Sequence, residues 1–387
     1  MKNVFGLVTL FLLVLVSGCN TVGEFFTGKD NSDPPAKLVK MENSLAVQTL
    51  WSKDVGVGTN ESYIKLSPRV VGDKIFAADR KGRVTAYDKA TGKSLWEINM
   101  KKTPISGGVG SGEGLVLVGT SEGDVIALDE SNGKELWRSS VTSEILAVPR
   151  AANGIVVVRT VDGKLFGLNA KEGKRVWVYD SSVPVLTLRG ASSPVLVGDK
   201  IIDGLPNGKL VALSLNEGKL LWEVKIAESR GRTEIERLVD INDPQVTGDT
   251  IYVTSFQGRV AAVALDSGRL LWARDMSSHA GVGVDENNLY VADDQGNILA
   301  LSQSDGRTVW KQDKLHARAV SGPAVYGNYV VAGDFEGYLH WLAVDDGHFV
   351  AREKIDKKGI IATPIATDDA VYVSGKGGIL AALRANK

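Results

Sequence analysis

The residues best suited to catalysis or metal binding are scattered along this chain. Its four histidines are His279, His316, His340 and His348. None of their spacings is typical of a zinc or catalytic site. The acidic run at 293–297 lacks the terminal glutamate of a calcium loop. The glycines of 107–112 lack the lysine of a phosphate-binding loop. The sequence therefore predicts no catalytic, metal or cofactor site.

The single cysteine, Cys19, excludes an intramolecular disulfide and any metal site built from several thiolates. A basic Lys2, an apolar run over 4–16 and the small residues Ser17-Gly18 precede it. This order predicts a secretory signal peptide over 1–18. The small residues before Cys19 resemble the lipobox of bacterial lipoproteins, which implies cleavage before Cys19 and lipidation of it. The alternative is an ordinary signal peptide followed by a chance cysteine.

Residues 19–44 show no sustained periodicity and are rich in Gly, Asp, Asn, Ser and Pro. This composition predicts a flexible tether after the lipidated cysteine. In lipoproteins of the enterobacterial type, an aspartate after the cysteine favours the inner membrane, so Asn20 favours the outer membrane. The formal net charge of −1 gives no indication of nucleic-acid binding.

Any functional residue must be positioned by a repeat of about 40 residues that runs through the chain. Most copies begin with glycine and end with tryptophan, as in GRVTAYDKATGKSLW (82–96). The seventh copy ends in Ala351 instead. The starting glycines are Gly82, Gly123, Gly163, Gly208, Gly258, Gly296, Gly337 and Gly377. Self-similarity at this period indicates a propeller or a solenoid.

Each copy has the local pattern of four short strands. In the first copy, residues 84–87 form an alternating strand, and residues 88–92 form a short polar turn before the return strand. Two apolar strands precede them, separated by Gly72-Asp73. The sequence therefore predicts an all-β fold, an eight-bladed β-propeller with four-stranded antiparallel blades. We expect the repeated tryptophans to pack between blades, since seven rings around a circle cannot all line one site.

The two ends of the chain complete one blade between them. The last copy, from Gly377, has inner strands but lacks the returning strand. Residues 45–51 supply such a strand, which ends at Trp51. We therefore predict that the N-terminal strand closes the ring by completing the last blade, and that the propeller covers 45–387.

Two consecutive connections between blades are longer than the others. The distance from each Trp to the Pro of the next blade is 12 residues after Trp137, but 17 after Trp177 and 22 after Trp222. The extra residues form a first insertion (180–190) and a second insertion (227–242). Insertions on one face of a repeat protein often mark its binding face. The alternative is that the leucines pack beneath their own loop and the charges are solvated; spacing alone does not separate the two.

The repeat resembles that of the pyrroloquinoline-quinone (PQQ) dehydrogenases, which are eight-bladed propellers. With the lipobox and the loop sequences TLRG and TEIERLVDIN, the whole chain resembles the BamB family. That family comprises lipoprotein propellers of the outer-membrane β-barrel assembly machinery. The resemblance implies a non-enzymatic scaffold, lipid-anchored on the periplasmic side of the outer membrane. It further implies that the protein assists the assembly and insertion of β-barrel proteins.

In that family, a Leu-x-Leu-Arg loop and acidic residues of the next insertion contact the periplasmic POTRA region of BamA, the barrel subunit. The matching residues of this chain are Leu186, Leu188, Arg189 and Asp240. A second acidic position falls on Asn242, with Asp243 one residue later, and this departs from the family pattern. The resemblance also implies other subunits of the assembly complex as partners, and unfolded outer-membrane proteins as clients.

Two other functions stay open on the sequence. A PQQ-type quinoprotein dehydrogenase would need a cofactor pocket on the ring axis and calcium ligands. Such enzymes usually carry a disulfide between neighbouring cysteines, which this chain lacks. A periplasmic propeller lipoprotein that binds some other partner is the second alternative.

Overall fold

The computed structural model describes residues 33–59, 62–64, 66–189 and 192–385. The predicted signal peptide, Cys19 and the first part of the predicted tether lie outside these residues. The described residues fold into β-strands joined by turns. None of them belongs to a helix long and apolar enough to cross a membrane.

The sequence of each blade forms strands of two kinds. The two middle strands are nearly continuous apolar runs, such as KIFAA, because both of their faces pack against neighbouring blades. The outermost strand alternates exposed with half-buried residues, as in SLWEIN.

The strands of the first half of the ring are β1 (Val47–Asp54), β2 (Arg69–Val71), β3 (Lys74–Ala78), β4 (Arg83–Asp88), β5 (Ser94–Asn99), β6 (Ile105–Gly112), β7 (Leu115–Thr120), β8 (Asp124–Asp129), β9 (Glu135–Ser140), β10 (Arg150–Ala152), β11 (Ile155–Arg159), β12 (Lys164–Asn169), β13 (Arg175–Asp180), β14 (Val195–Val197), β15 (Lys200–Gly204), β16 (Lys209–Ser214) and β17 (Leu220–Lys225). Those of the second half are β18 (Gln245–Thr247), β19 (Thr250–Thr254), β20 (Arg259–Ala264), β21 (Leu270–Asp275), β22 (Val282–Val284), β23 (Asn288–Ala292), β24 (Ile298–Ser302), β25 (Thr308–Gln312), β26 (Ala324–Tyr326), β27 (Tyr329–Gly333), β28 (Tyr338–Ala343), β29 (Phe349–Lys354), β30 (Ile365–Ala366), β31 (Val371–Ser374) and β32 (Ile379–Ala385).

These strands form eight four-stranded antiparallel sheets, which are the blades of a propeller. Blades 1 to 7 are β2–β5, β6–β9, β10–β13, β14–β17, β18–β21, β22–β25 and β26–β29. Blade 8 has the order β1-β32-β31-β30, so the N-terminal strand completes the last blade. The predicted fold class and the predicted closure of the ring are both confirmed.

The recurring tryptophans join one blade to the next, as expected from the repeat. The indole of Trp51 donates to the main-chain oxygen of Lys89 in blade 1, at 3.0 Å. Its ring covers Gly92, where φ is +66° and an added Cβ would lie 2.6 Å from the indole. Only glycine fits this turn, because both the backbone angle and the ring exclude a side chain. Six further junctions repeat the contact, from Trp96, Trp137, Trp177, Trp222, Trp272 and Trp310.

The junction between blades 7 and 8 uses a different arrangement. In the other blades a tryptophan of the outermost strand lies opposite a small residue of the third strand, as Trp96 lies opposite Ala86. In blade 7 the pair is exchanged, because Trp341 lies on the third strand and Ala351 lies opposite it on the fourth. Trp341 is fully buried and meets Tyr326 edge to face, with ring centroids 6.0 Å apart. This exchange explains why the seventh repeat does not end in Trp.

The register of the last repeat differs by one residue from the sequence prediction. Trp51 lies opposite Ala382, as Trp96 lies opposite Ala86. The structural start of the last repeat is therefore Gly378, and not Gly377 as predicted. Gly378 has a φ of +97°, which allows the same turn as in the other copies. Two adjacent glycines made the two registers indistinguishable from the sequence.

Residues 36–45 lie along the outermost strand of blade 7. Arg318 Nη1 donates to the main-chain oxygen of Ala36, and Arg352 Nη1 donates to that of Val39, both at 2.9 Å. Leu45 is buried in the core shared by blades 7 and 8. The sequence prediction assigned residues up to 44 to the flexible tether, whereas the structure shows contacts with the propeller from Ala36 onward.

Candidate partner-binding site

Both insertions lie between the outermost strand of one blade and the first strand of the next. The first insertion follows β13 and precedes blade 4, and the second insertion follows β17 and precedes blade 5. The two loops therefore flank blade 4 on the same face of the ring. The spacing of Trp and Pro in the sequence located both of them correctly.

The start of the first insertion is fixed to blade 3. Ser181 donates from both its main-chain nitrogen and its hydroxyl to the oxygen of Gly163, the hydroxyl bond being 2.6 Å. Val183 also lies against Gly163. After these anchors the chain turns outward, and Val185 is 93% exposed. The loop is therefore held at its base and open at its tip.

The second insertion carries its own local turn. Thr233 and Glu236 form a reciprocal cap, in which the Glu236 carboxylate accepts from the main-chain nitrogen of Arg232 at 2.6 Å. The main-chain nitrogen of Glu236 donates to the Thr233 hydroxyl at 3.2 Å. These backbone donors lower the pKa of Glu236. The turn exposes Ile235, of which 66% is accessible to solvent.

The end of the second insertion returns into the core. Leu238, Val239 and Ile241 are buried. Ile241 packs on Gly204, where an added Cβ would lie 2.4 Å from the isoleucine side chain. The second insertion thus has a buried base beneath an exposed turn.

Asp240 joins the two insertions directly. Its Oδ1 accepts a hydrogen bond of 3.0 Å from the main-chain nitrogen of Leu188. Only 5% of Asp240 is exposed, so its carboxylate lies beneath the first insertion. The structure therefore brings two of the predicted contact residues together, but it gives Asp240 the role of positioning Leu188.

A buried group of charges lies under this contact. Arg159 of blade 3 forms an ion pair of 3.1 Å with Asp203 of blade 4, and it also donates to the main-chain oxygen of Gly204. Burial raises the pKa of Asp203 and that of Asp240 to about 6 each, while Arg159 lowers both. One oxygen of each carboxylate has no hydrogen-bond partner among the described residues. The base of the site therefore contains two buried carboxyl groups, both with a raised pKa.

The exposed tips of the insertions combine apolar residues with locally paired charges. Leu186 is 40% exposed, Leu188 is half-buried, and Arg189 is exposed. Arg189 forms an ion pair of 2.9 Å with Glu144 from the connection between blades 2 and 3. In the second insertion, Arg237 is paired with Glu234 in the same way, at 3.4 Å. Binding of a partner would therefore be stabilised mainly by burial of the apolar side chains.

Asn242 and Asp243 have different environments from those that their sequence position suggested. The Asn242 amide is buried and donates to the Thr254 hydroxyl and to the main-chain oxygen of Ser278. Asp243 is exposed, and its Oδ1 accepts from the main-chain nitrogen of Ser193 at 2.6 Å. Asn242 therefore links β19 of blade 5 to the connection between blades 5 and 6. The asparagine that departs from the family pattern thus has a structural role in this chain.

Three residues of this surface were missed by the sequence analysis. Val185 and Ile235 are its most exposed apolar side chains, and Glu144 pairs with Arg189. Val185 follows a proline, and Ile235 is the one apolar residue between Thr233 and Glu236, which are weak signals of exposed turn positions. Glu144 gave no signal, because its contact spans 45 residues of sequence.

The histidines do not come together in the folded chain. His340 is buried against Asp334, with 2.9 Å between Nε2 and Oδ2. His279 and His348 each lie beside a separate aspartate. Within the described residues there is no group of three or more His, Cys, Asp or Glu side chains that could hold a metal ion.

Known proteins share this architecture at two levels of similarity. The crystal structure of BamB from Moraxella catarrhalis has a TM-score of 0.80 at 25% identity, covering 88% of this chain and 100% of that chain. A quinohemoprotein alcohol dehydrogenase from Comamonas testosteroni has a TM-score of 0.66 at 14% identity, covering 89% of this chain and 78% of that chain. The second likeness concerns the fold alone.

The sequence comparisons cover nearly the whole chain. The outer membrane protein assembly factor BamB of Pseudomonas aeruginosa is 43% identical over 374 residues, which are 96% of this chain and 97% of that protein. A family model described as outer membrane protein assembly factor BamB matches residues 80–312 and 295–387. The eight-bladed ring agrees with these matches, and the chain belongs to the BamB family.

Proposed function

We propose that this protein is a non-enzymatic assembly factor for outer-membrane β-barrel proteins, and that its two insertions bind the POTRA region of BamA. The name shared by its relatives, outer membrane protein assembly factor, supports the first part. The geometry of the insertions supports the second. Lipidation of Cys19 would anchor the protein on the periplasmic side of the outer membrane.

The observation that carries the proposed contact is an exposed apolar surface on a rigid base. Leu186 and its neighbour Val185 remain exposed although the loop around them is hydrogen-bonded at both ends. Residues of a preorganised loop lose little conformational freedom on binding, so more of the gain from burial appears as affinity. Full burial of one leucine side chain contributes about 1.5–3 kcal/mol.

The roles of the predicted contact residues follow from their positions. Leu186 and Leu188 enter the interface, and Arg189 offers its guanidinium to an acidic group of the partner. Asp240 does not need to touch the partner, because it holds the backbone of Leu188. The loss of Asp240 would therefore weaken binding through the first insertion.

The experiment compares charge substitutions on the first insertion with a charge substitution on the outermost strand of blade 4. The double variant Leu186→Glu and Leu188→Glu is expected to lose co-purification with BamA. We expect a loss of at least ten-fold in affinity, since only the part of each leucine that is still exposed can be buried by the partner. The matched control is Leu221→Glu on β17, where the leucine is 48% exposed but lies on the outermost strand. The control is expected to co-purify with BamA as the unaltered protein does.

Circular dichroism and the melting temperature establish that both variants are folded. Equal loss of BamA from both would mean that the blade edge, and not the insertions, carries the contact. Retention of BamA by a folded Leu186→Glu and Leu188→Glu variant would contradict the proposed site.

A further inference from the structure

The central channel of the propeller contains two arginines that the insertions do not use. The channel is a cavity of about 570 Å³ surrounded by the first strands of the blades. Arg69 lies on β2 of blade 1, and Arg150 lies on β10 of blade 3. A cavity of this size is in the range that holds small molecules.

The register of the blades shows how unusual these two positions are. Around the ring, the equivalent positions are Arg69, Gly110, Arg150, Val195, Gln245, Gly283, Ala324 and Ile365. The two charged residues flank Gly110, one of the two glycines in this set. At Gly110 an added Cβ would lie 1.9 Å from the main-chain oxygen of Pro149, so no larger residue fits. Among these eight positions, Arg69 and Arg150 are the two that carry a charge.

The hydrogen bonds of the two guanidinium groups are incomplete. Arg69 Nε donates to the Ser111 hydroxyl at 3.0 Å. Arg150 Nη1 is buried and has no acceptor within the described part of the chain. Burial and the neighbouring Arg69 lower the pKa of Arg150 to about 10, so it is a cation at neutral pH. A buried guanidinium nitrogen without an acceptor is unfavourable. The planar donor group of an arginine matches the geometry of a carboxylate.

The surroundings narrow the class of ligand. Asp243 is the acidic residue that acts on Arg150, and its Oδ1 is already bonded to Ser193. Two arginines and one aspartate leave a net charge of +1, which suits one carboxylate better than a phosphate dianion. Much of the remaining wall is apolar, formed in part by Val70, Val195, Val282 and Ile365.

We propose that the central channel binds a small molecule with an apolar body and one carboxylate group, which Arg150 and Arg69 hold. The Arg150 guanidinium donates to the carboxylate, and the apolar body packs on the valines of the opposite wall. The site is separate from the insertions and does not depend on the partner that they bind.

The first test uses hexanoate as the probe, with the full-length protein labelled with ¹⁵N at arginine. Hexanoate is expected to shift the Nε–Hε signals of Arg69 and Arg150 saturably, whereas hexanol at the same concentration leaves them in place. Inorganic phosphate is expected to bind at least ten-fold more weakly than hexanoate. Phosphate that binds as tightly as hexanoate, or no saturable shift with hexanoate, would overturn the proposal.

The second test separates a binding role of Arg150 from a structural one. Arg150→Met is expected to weaken hexanoate binding at least ten-fold and to raise the melting temperature of the ligand-free protein, because a buried nitrogen without an acceptor is removed. Arg69→Met is expected to weaken binding as well. The control Arg175→Met lies on the exposed outermost strand of blade 3 and is expected to change neither property. A lower melting temperature with unchanged hexanoate affinity in Arg150→Met would show that the arginine only supports the blades.

Discussion

The junction of blades 7 and 8 and the insertions around blade 4 both depart from the repeat. At the junction, the tryptophan of blade 7 is Trp341 on the third strand, and Leu45 packs in the core shared by blades 7 and 8. Both side chains are buried there. At the insertions, Val185, Leu186 and Ile235 are left in solvent. A departure that closes the ring buries its apolar residues, whereas one that leaves them exposed on a fixed loop is typical of a binding surface.

The largest effect should come from removing the closing strand. Deletion of residues 36–54 takes away β1 and exposes both the edge of β32 and the core shared by blades 7 and 8. We expect a chain without a cooperative thermal transition. Deletion of residues 20–35, which leaves β1 in place, should keep the transition. Cooperative unfolding of the first variant would show that β1 does not close the ring.

A smaller difference should separate the ordinary blade junctions from the exceptional one. Trp310 donates from Nε1 to the main-chain oxygen of Val344, whereas Nε1 of Trp341 has no partner among the described residues. Trp310→Phe therefore leaves an acceptor unpaired, and Trp341→Phe does not. We expect Trp310→Phe to lower the free energy of unfolding by about 1–3 kcal/mol more than Trp341→Phe. Urea denaturation of both variants measures this, and equal losses would contradict the difference between the junctions.

The pH dependence tests the buried base of the insertions. The pKa of Asp240 is raised to about 6 in the folded protein, above its value of about 3.9 in an unfolded chain. The folded state therefore binds the proton more tightly, and the free energy of unfolding should rise as the pH falls from 7 to 5. Asp240→Asn removes this contribution but keeps the oxygen that Leu188 donates to. We expect it to gain about 1 kcal/mol less than the unaltered protein over this range.

Parallel stability curves of the two proteins between pH 5 and pH 7 would mean that Asp240 does not titrate in that range. At pH 7, Asp240→Asn should be at least as stable as the unaltered protein, because a desolvated charge is removed. Asp240→Ala serves as the control, since it leaves the main-chain nitrogen of Leu188 without its acceptor and should destabilise the first insertion.

The smallest effect is expected from the exposed ion pair of the first insertion. Arg189 and Glu144 are 2.9 Å apart, but the arginine side chain is largely in solvent. Glu144→Gln should therefore change the free energy of unfolding by no more than about 1 kcal/mol. The same change frees Arg189 for a partner, so association with BamA should become faster at low salt. Stopped-flow measurements of association at two salt concentrations test this. An association rate equal to that of the unaltered protein would mean that Arg189 does not contact BamA.

Much of the ring could be predicted from the sequence, because the residues that specify each blade lie close together in the chain and recur in every repeat. Each Trp and the glycine of each turn recur with the period of one blade, and the incomplete repeats at the two ends indicated closure. The exchange of Trp341 and Ala351 was visible only as a missing tryptophan, since its explanation lies in a cross-strand pair.

The positions of the two insertions were predicted from the sequence, but the burial and pairing of their residues were not. Trp-to-Pro spacing located both insertions, since chain length is read directly from the sequence. The burial of Asp240 and the pairing of Glu144 depend on contacts between residues 45 or more positions apart, which no local pattern encodes. Residues 36–44 were assigned to the tether for the same reason, because the partners of this segment lie near the other end of the chain.

The most direct test of whether the insertions form the partner-binding surface is photocrosslinking in intact cells from single positions of the full-length protein. A photoreactive residue at position 186, on the first insertion, is expected to capture BamA. The same residue at position 221, on the outermost strand of blade 4, is expected not to capture it. Capture of BamA from 221 and not from 186 would contradict the assignment of the insertions as the partner-binding surface.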